Sequence, residues 1–270
     1  TASHNPATDN GYKVYWKNGA QIVPPQDSDI AAAIHSIQDQ IIWTNFDSVD
    51  ESTIQMVSPT LIDGYFNDIQ KLRVSTKTGA KLIYSAMHGV GEYWVQRALH
   101  EAGHQVHSVP EQADPNGDFP SVRFPNPEEK GALDLSIALA HKLNADAVLA
   151  NDPDADRLAV ALPDSTGRFQ KLTGDQIGLL LADYLLEFGQ YGSNPMVATS
   201  LVSSSLLEAL AQEKGIAYKE TLTGFKWIAN EAINHEHQQD SKIDLIQEQC
   251  FVVQLLCLEI ILLQNHTKYR

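Results

Sequence analysis

Immediately after the short apolar run 145–150, the chain reads Asn151-Asp152-Pro153-Asp154-Ala155-Asp156-Arg157. Three carboxylates at alternate positions can converge on one hard cation. Two or three carboxylates with few other ligands suit Mg²⁺, which completes its octahedron with water and phosphate oxygens. Left without a cation, such charges repel one another. Arg157, next to the triad, can grip a phosphate through its forked guanidinium. A calcium-binding EF-hand loop would need Gly after the third acidic position and Glu at a later fixed offset. Arg157 and Leu158 break that pattern. The competing interpretation is a solvated acidic loop.

Two further groups could do chemistry. Thr1-Ala2-Ser3-His4-Asn5-Pro6 sets a serine among turn-forming residues, and Asn10-Gly11-Tyr12-Lys13 follows. Turn chemistry alone leaves this segment open between an ordinary polar turn and a reactive loop tip. No Asp–His relay lies near the serine in the sequence, so a hydrolase triad is not indicated. In Thr223-Gly224-Phe225-Lys226-Trp227-Ile228, a Gly at a helix start leaves free amides for an anion or a sugar hydroxyl. A helix cap with a core aromatic accounts for the same residues equally well. His88-Gly89-Val90-Gly91 reads as a structural turn, because the dinucleotide spacing G-x-G-x-x-G is absent. His235 and His237 fall in a polar stretch and read as exposed.

The elements that must position these groups follow an alternating pattern. Segments 80–86, 104–109 and 145–150 read as strands, and 93–101 and 132–143 as helices, with a long Pro/Asn/Asp/Gly-rich loop over 114–130. This β-α-β-α-β order predicts a parallel sheet with helices on its faces. Segments 158–162 and 169–172 flank a turn and predict a hairpin. Thr173 caps a helix over 176–188, and then strand, helix, strand and helix follow at 196–200, 204–213, 218–221 and 225–233. Ligands of open α/β sheets gather at the carboxyl ends of strands, which is where the triad falls.

Composition narrows the partners. Of 270 residues 43% are hydrophobic, enough for more than one buried core, and the net charge is −15. That balance argues against a nucleic-acid or anionic-membrane binder, which would concentrate Lys and Arg. Two cysteines, Cys250 and Cys257, give no disulfide framework, so the expected compartment is reducing and cytoplasmic. No basic stretch followed by an apolar run opens the chain, so no signal peptide is read. The apolar run 251–263 is interrupted by Gln254 and Glu259 and falls short of the roughly 20 residues a spanning helix needs. It reads as a buried or aggregation-prone segment.

Taken together and in this order, TASHNP, DPDADR and GFKWI resemble the α-D-phosphohexomutase superfamily of phosphoglucomutases and phosphomannomutases, over about residues 1 to 234. The resemblance implies tandem three-layer α/β domains with mixed, mainly parallel sheets around a cleft. It implies that Ser3 carries the phosphoryl group, and that Asp152, Asp154 and Asp156 bind Mg²⁺ together with an oxygen at Ser3. Lys13 would be the general acid/base, His4 would assist proton transfer, and Arg157 would support the phosphoserine or the substrate. Thr223, Gly224, Phe225 and Lys226 would face the sugar. The implied reaction interconverts hexose 1-phosphate and hexose 6-phosphate through a phosphoserine and a sugar bisphosphate, which also serves as activator. Glucose is favoured over mannose; the alternatives are a phosphopentomutase and an inactive sugar-phosphate-binding fragment. A different class, a metal-dependent phosphatase, would use one Asp as nucleophile.

On this reading residues 1–58 are the remainder of a first domain with the serine loop, 59–171 a second with the metal loop, and 172–237 part of a third with the sugar loop. Residues 238–270 form an aberrant tail. An arginine loop before Thr1, a second sugar loop carrying paired Glu, and a fourth domain have no counterpart here; the acidic stretch 231–248 does not reproduce that loop. The expectation is a mutase reading truncated or frameshifted at its ends, weakly active or inactive as an isolated chain.

Overall fold

The computed structural model describes residues 5–9, 11–37, 41, 43–50, 52, 54–74, 76–189, 191 and 194–239. Ser3, His4 and the apolar run 251–263 lie outside the described residues. The N-terminal part carries an isolated antiparallel bridge, Tyr15 with Gln21, then helix α1 (Gln26–Ile37) and a one-turn 3₁₀ segment at Phe46–Ser48. Helix α2 (Pro59–Lys71) follows, started by Pro at its first turn and by Ser58, whose hydroxyl accepts a hydrogen bond from Leu61 N. Neither α1 nor α2 was expected from the sequence. α1 buries none of its residues, whereas α2 carries an apolar stripe, Leu61, Ile62, Tyr65, Phe66 and Ile69, at helical spacing and buries Phe66 and Ile69.

The central unit contains strand β1 (Lys81–Ser85), helix α3 (Gly91–Glu101), strand β2 (Gln105–Ser108), the single turn α4 (Pro110–Ala113), helix α5 (Asp134–Leu143) and strand β3 (Ala147–Asn151). Strands β4 (Leu158–Pro163) and β5 (Phe169–Lys171) complete it. They form one sheet in the order β2-β1-β3-β4-β5. β1 runs parallel to both β2 and β3, while β3–β4 and β4–β5 are antiparallel. The expected hairpin thus extends the first sheet along its far edge.

Alternation along the strands explains the layers. Leu82, Tyr84, Ala147, Leu149 and Val160 point to one face and pack against α2, α3 and the following helix α6 (Gly174–Phe188). Ile83, Val148, Ala150, Ala159 and Ala161 point to the other and pack against Leu133 and Ala140, at and within α5. The runs are apolar on both faces because helices cover both, as parallel sheets require. Where the sequence predicts the fifth helix from 132 and the third strand from 145, the structure starts them at Asp134 and Ala147. Asn144, in the left-handed region at φ 51°, ends α5 and turns the chain.

A second, smaller unit follows. α6 opens with a capping box between Thr173 and Gln176. Strands β6 (Met196–Ser200) and β7 (Ala217–Thr221) pair in parallel across helix α7 (Leu206–Lys214), which Gly215 ends at φ 68°. Helix α8 (Phe225–Gln239) extends beyond the expected end at 233. No helix among the described residues is long and apolar enough to cross a membrane.

Two stability outcomes follow from this packing. Leu149 is fully buried in β3, and Leu149→Ala should cost about 2–5 kcal/mol in urea denaturation. His104 is buried, and its Nδ1 has no hydrogen-bond partner; burial first, and the charge of Arg73 second, push its pKa down. Protonation is therefore disfavoured only in the folded state. Stability should be complete above the unfolded value of about 6.5 and should decline as pH falls below it. Urea midpoints of the wild type and His104→Gln from pH 7.5 downward should show the shallower acid-side fall in the variant.

Candidate active site

β3 ends at Asn151, and the chain returns as β4 from Leu158, so residues 152–157 form a tight reversal between antiparallel neighbours. Two side chains latch it. Asn151 Oδ1 accepts a 2.9 Å hydrogen bond from the Tyr84 hydroxyl on β1, and Asn151 Nδ2 donates to the carbonyl of Arg157 at the far end of the loop. Asp152, fully buried, accepts from Arg157 N at 3.0 Å through Oδ1, and Arg157 Nε stands 3.9 Å from its Oδ2. The Ala155 amide donates to the Asp152 carbonyl at 2.9 Å while Ala155 itself takes φ 59°. The result is a turn that brings oxygens of Asp152, Asp154 and Asp156 within 4.8 Å of one another.

Tyr84 is held as a neutral phenol. Burial, followed by the negative charges of Glu92 and Asp152, raises its pKa well above the usual value. It therefore donates to Asn151 throughout the working pH range.

The glycine turn 88–91 supports the same loop. A side chain added at Gly89 would meet Pro153 Cα and O at 2.3 Å, and Val90 N donates to the Pro153 carbonyl at 2.9 Å. At Gly91, an added Cβ would lie 2.5 Å from the Tyr84 hydroxyl. These glycines serve close approach, while the positive φ angles of the turn fall on Met87 (47°) and His88 (61°). His88 N bonds the Gln112 carbonyl at 2.9 Å, and Ser121 Oγ bonds both His88 Nε2 (2.8 Å) and Gln112 Nε2 (3.0 Å). The sequence pattern read 88–91 as a plain turn, gave Asn151 no role of its own, and left Gln112 and Ser121 unmarked. The Gly-x-Gly pair was the available signal, but the element it packs against is more than sixty positions away.

Lys13 approaches the triad from the N-terminal segment. Its Nζ lies 2.5 Å from Asp154 Oδ2 and 2.5 Å from Asp156 Oδ2. Burial works against the ammonium, but the hydrogen bonds and charges of Asp154 and Asp156 outweigh it and hold its pKa above the ordinary lysine value. The structure thus brings together Lys13, Asp152, Asp154, Asp156 and Arg157. Thr223, Gly224, Phe225 and Lys226 stand at the start of α8 in the following unit, with Gly224 at φ 122° and Lys226 Nζ 5.1 Å from the Trp227 ring centroid. Ser3 and His4 lie outside the described residues. A neighbouring groove of about 770 Å³ is lined by Leu61, Tyr65, Trp94, Asp154 and Ala155 among others. Its mainly apolar walls do not suit a phosphosugar, and the polar cluster beside it is the better candidate.

Comparison with known proteins places this geometry in a family. The chain matches the phosphoglucomutase/phosphomannomutase alpha/beta/alpha domains I, II and III over residues 1–41, 63–167 and 173–240, in that order. The chain belongs to the phosphoglucomutase/phosphomannomutase family. It is 44% identical over 248 residues to "Phosphopentomutase" of Homo sapiens, covering 86% of this chain and 40% of the relative. It is 45% identical over 233 residues to "Probable phosphomannomutase" of Haemophilus influenzae, covering 84% and 47%. The chain therefore spans less than half the length of these curated relatives. Its fold matches that of a phosphoglucomutase/phosphomannomutase family protein from Burkholderia thailandensis, with TM-score 0.70 at 20% identity, over 96% of this chain and 54% of that one.

The glycine contact gives a direct check. Gly89→Ala forces a methyl into the Pro153 backbone and should destabilise the phosphohexomutase fold by about 1–3 kcal/mol. Gly117→Ala, where an added Cβ meets nothing within 4 Å, should stay near wild type in the same thermal melts.

Proposed function

We propose that the chain carries the phosphoryl-transfer centre of a phosphosugar mutase. The observation that carries this reading is the convergence of Asp152, Asp154 and Asp156 with the Lys13 ammonium at 2.5 Å. The donor set fits a hard divalent cation: three carboxylate oxygens within 4.8 Å, one of them on a residue with no exposed surface. Bound there, Mg²⁺ would neutralise phosphate charge and orient an attacking or leaving oxygen. Phosphoryl transfer asks mainly for positioning and charge neutralisation, so the protein's share is geometric.

In this reading Ser3 Oγ carries the phosphoryl group and donates it to the free hydroxyl of a sugar monophosphate. The bisphosphate formed turns over and returns its other phosphate to Ser3. Lys13 and His4 take and return the hydroxyl protons, and Arg157, held against Asp152, supports the phosphate. Thr223, Gly224, Phe225 and Lys226 face the sugar. We assign residues 1–58, 59–171 and 172–237 to three successive domains. A sugar bisphosphate serves as activator, and the compartment is cytoplasmic. A hexose phosphate, glucose before mannose, is the first substrate reading. A pentose phosphate is the second, in keeping with the relative at 44% identity named phosphopentomutase.

Incubation of the purified chain with Mg²⁺ and ³²P-labelled glucose 1,6-bisphosphate should leave acid-stable, hydroxylamine-resistant label on the Ser3 peptide. Ser3→Ala should abolish that label, and Asp154→Asn should lower its rate by about a hundredfold or more. Hydroxylamine-labile label on an aspartate would instead identify a phosphatase-type carboxylate nucleophile. The same assay with ribose 1,5-bisphosphate ranks the pentose reading against the hexose one.

A further inference from the structure

Lys13 does not sit beside the triad; it occupies it. Its Nζ contacts Asp154 Oδ2 and Asp156 Oδ2 at 2.5 Å each, bridging two of the three carboxylates. Magnesium holds its oxygen ligands at about 2.0–2.1 Å. A divalent cation using those two oxygens would therefore stand within roughly 5 Å of the ammonium if both remained, sharing the same lone pairs. Asp154 is largely buried, with 10% of its side chain exposed, so solvent screens the repulsion poorly.

The backbone behind Lys13 is anchored independently. Ile22 N bonds the Val14 carbonyl at 3.0 Å, and Trp16 N bonds the Ala20 carbonyl at 2.9 Å. Asn230 Nδ2 on α8 donates to the Gln21 carbonyl at 3.1 Å and to the Lys226 carbonyl at 2.7 Å. The flexible four-carbon stem of Lys13 is thus free to change rotamer while its backbone segment stays in place.

We infer that the Lys13 ammonium and the divalent cation are alternative occupants of the Asp154–Asp156 seat, so that metal loading displaces Lys13 from it. The inference rests on the metal-binding reading of the triad given above. Lys13 neutralises part of the triad's charge before the metal arrives, so the loop keeps its shape without the ion. Its side chain becomes available to other partners only in the loaded state. The apparent metal affinity is lowered by the fraction of molecules in which Lys13 holds the seat.

The test is Mn²⁺ binding to the full 270-residue chain, followed by the EPR signal of free Mn²⁺, together with amine-reactive labelling of lysines read by mass spectrometry. Lys13→Met and Lys13→Gln, each checked for native circular dichroism, should bind Mn²⁺ about tenfold more tightly than wild type. Lys17→Met removes an exposed charge from the same segment and should stay within about twofold, which separates competition for the seat from general electrostatics. In the wild type, labelling of Lys13 should rise severalfold on saturation with Mn²⁺ while Lys17 labelling holds constant. Wild-type binding that neither Lys13 variant tightens, or Lys13 labelling indifferent to Mn²⁺, overturns this inference and leaves the metal site standing. Absence of Mn²⁺ binding in the wild type and both Lys13 variants overturns the metal reading along with it.

Discussion

A fully buried carboxylate, that of Asp152, sets the terms for the central unit. An ionised group without solvent is costly unless the fold supplies hydrogen bonds and charge in its place. Here the loop curls back on itself to do so. Arg157 offers its backbone amide to Oδ1, and its guanidinium approaches Oδ2. That return forces the turn in which Ala155 adopts a left-handed φ, and the same turn crowds Asp154 and Asp156 beside Asp152. The clustering of like charges is thus a geometric consequence of how one buried charge is satisfied, and a cation is what relieves it.

The sheet delivers this loop through its topology. β3 is the strand at which pairing changes from parallel, with β1, to antiparallel, with β4. A parallel successor would have needed a long crossover; an antiparallel one permits a six-residue return, 152–157. Tyr84, one strand over, reaches Asn151, and the glycine turn that follows β1 lies against Pro153. The metal-loop candidates therefore lean on the ends of two adjacent parallel strands, a rigid base for groups that must converge.

Contacts of long range join the three parts of the chain at this point. Lys13 comes from the N-terminal segment to the triad, and Asn230 on α8 holds the carbonyl of Gln21 in that same segment. The helix whose start bears the sugar-facing candidates is thereby tied to the segment that bears Lys13. The ties at this point are polar and directional, one ion-paired lysine and one amide, while Ile177, Leu181 and Tyr184 of α6 join the apolar core of the central sheet.

Much of the fold was legible in the sequence, because local chemistry decides it. Apolar runs at 80–86 and 145–150 read as buried strands, Thr173 as the start of a helix, and DPDADR after a strand as a loop whose carboxylates can converge, which the structure shows. The resemblance carried by TASHNP, DPDADR and GFKWI pointed to the right family. Helix α1 was not legible, since it buries none of its residues, and the apolar stripe of α2 at 61, 62, 65, 66 and 69 was a signal passed over. Nor were the roles of Gly89 and Asn151 legible, nor the contact of Lys13 with Asp154 and Asp156. A sequence states that a glycine lacks a side chain, but only packing states that Pro153 needs the space; it states that Lys13 is a cation, but only the tertiary structure decides which carboxylates, some 140 positions away, it will hold. The sequence by itself determined the elements and the chemical inventory, because these depend on neighbours along the chain. Tertiary structure decided which of those groups meet, because contact across the sheet follows from strand order and loop closure, which no local pattern encodes.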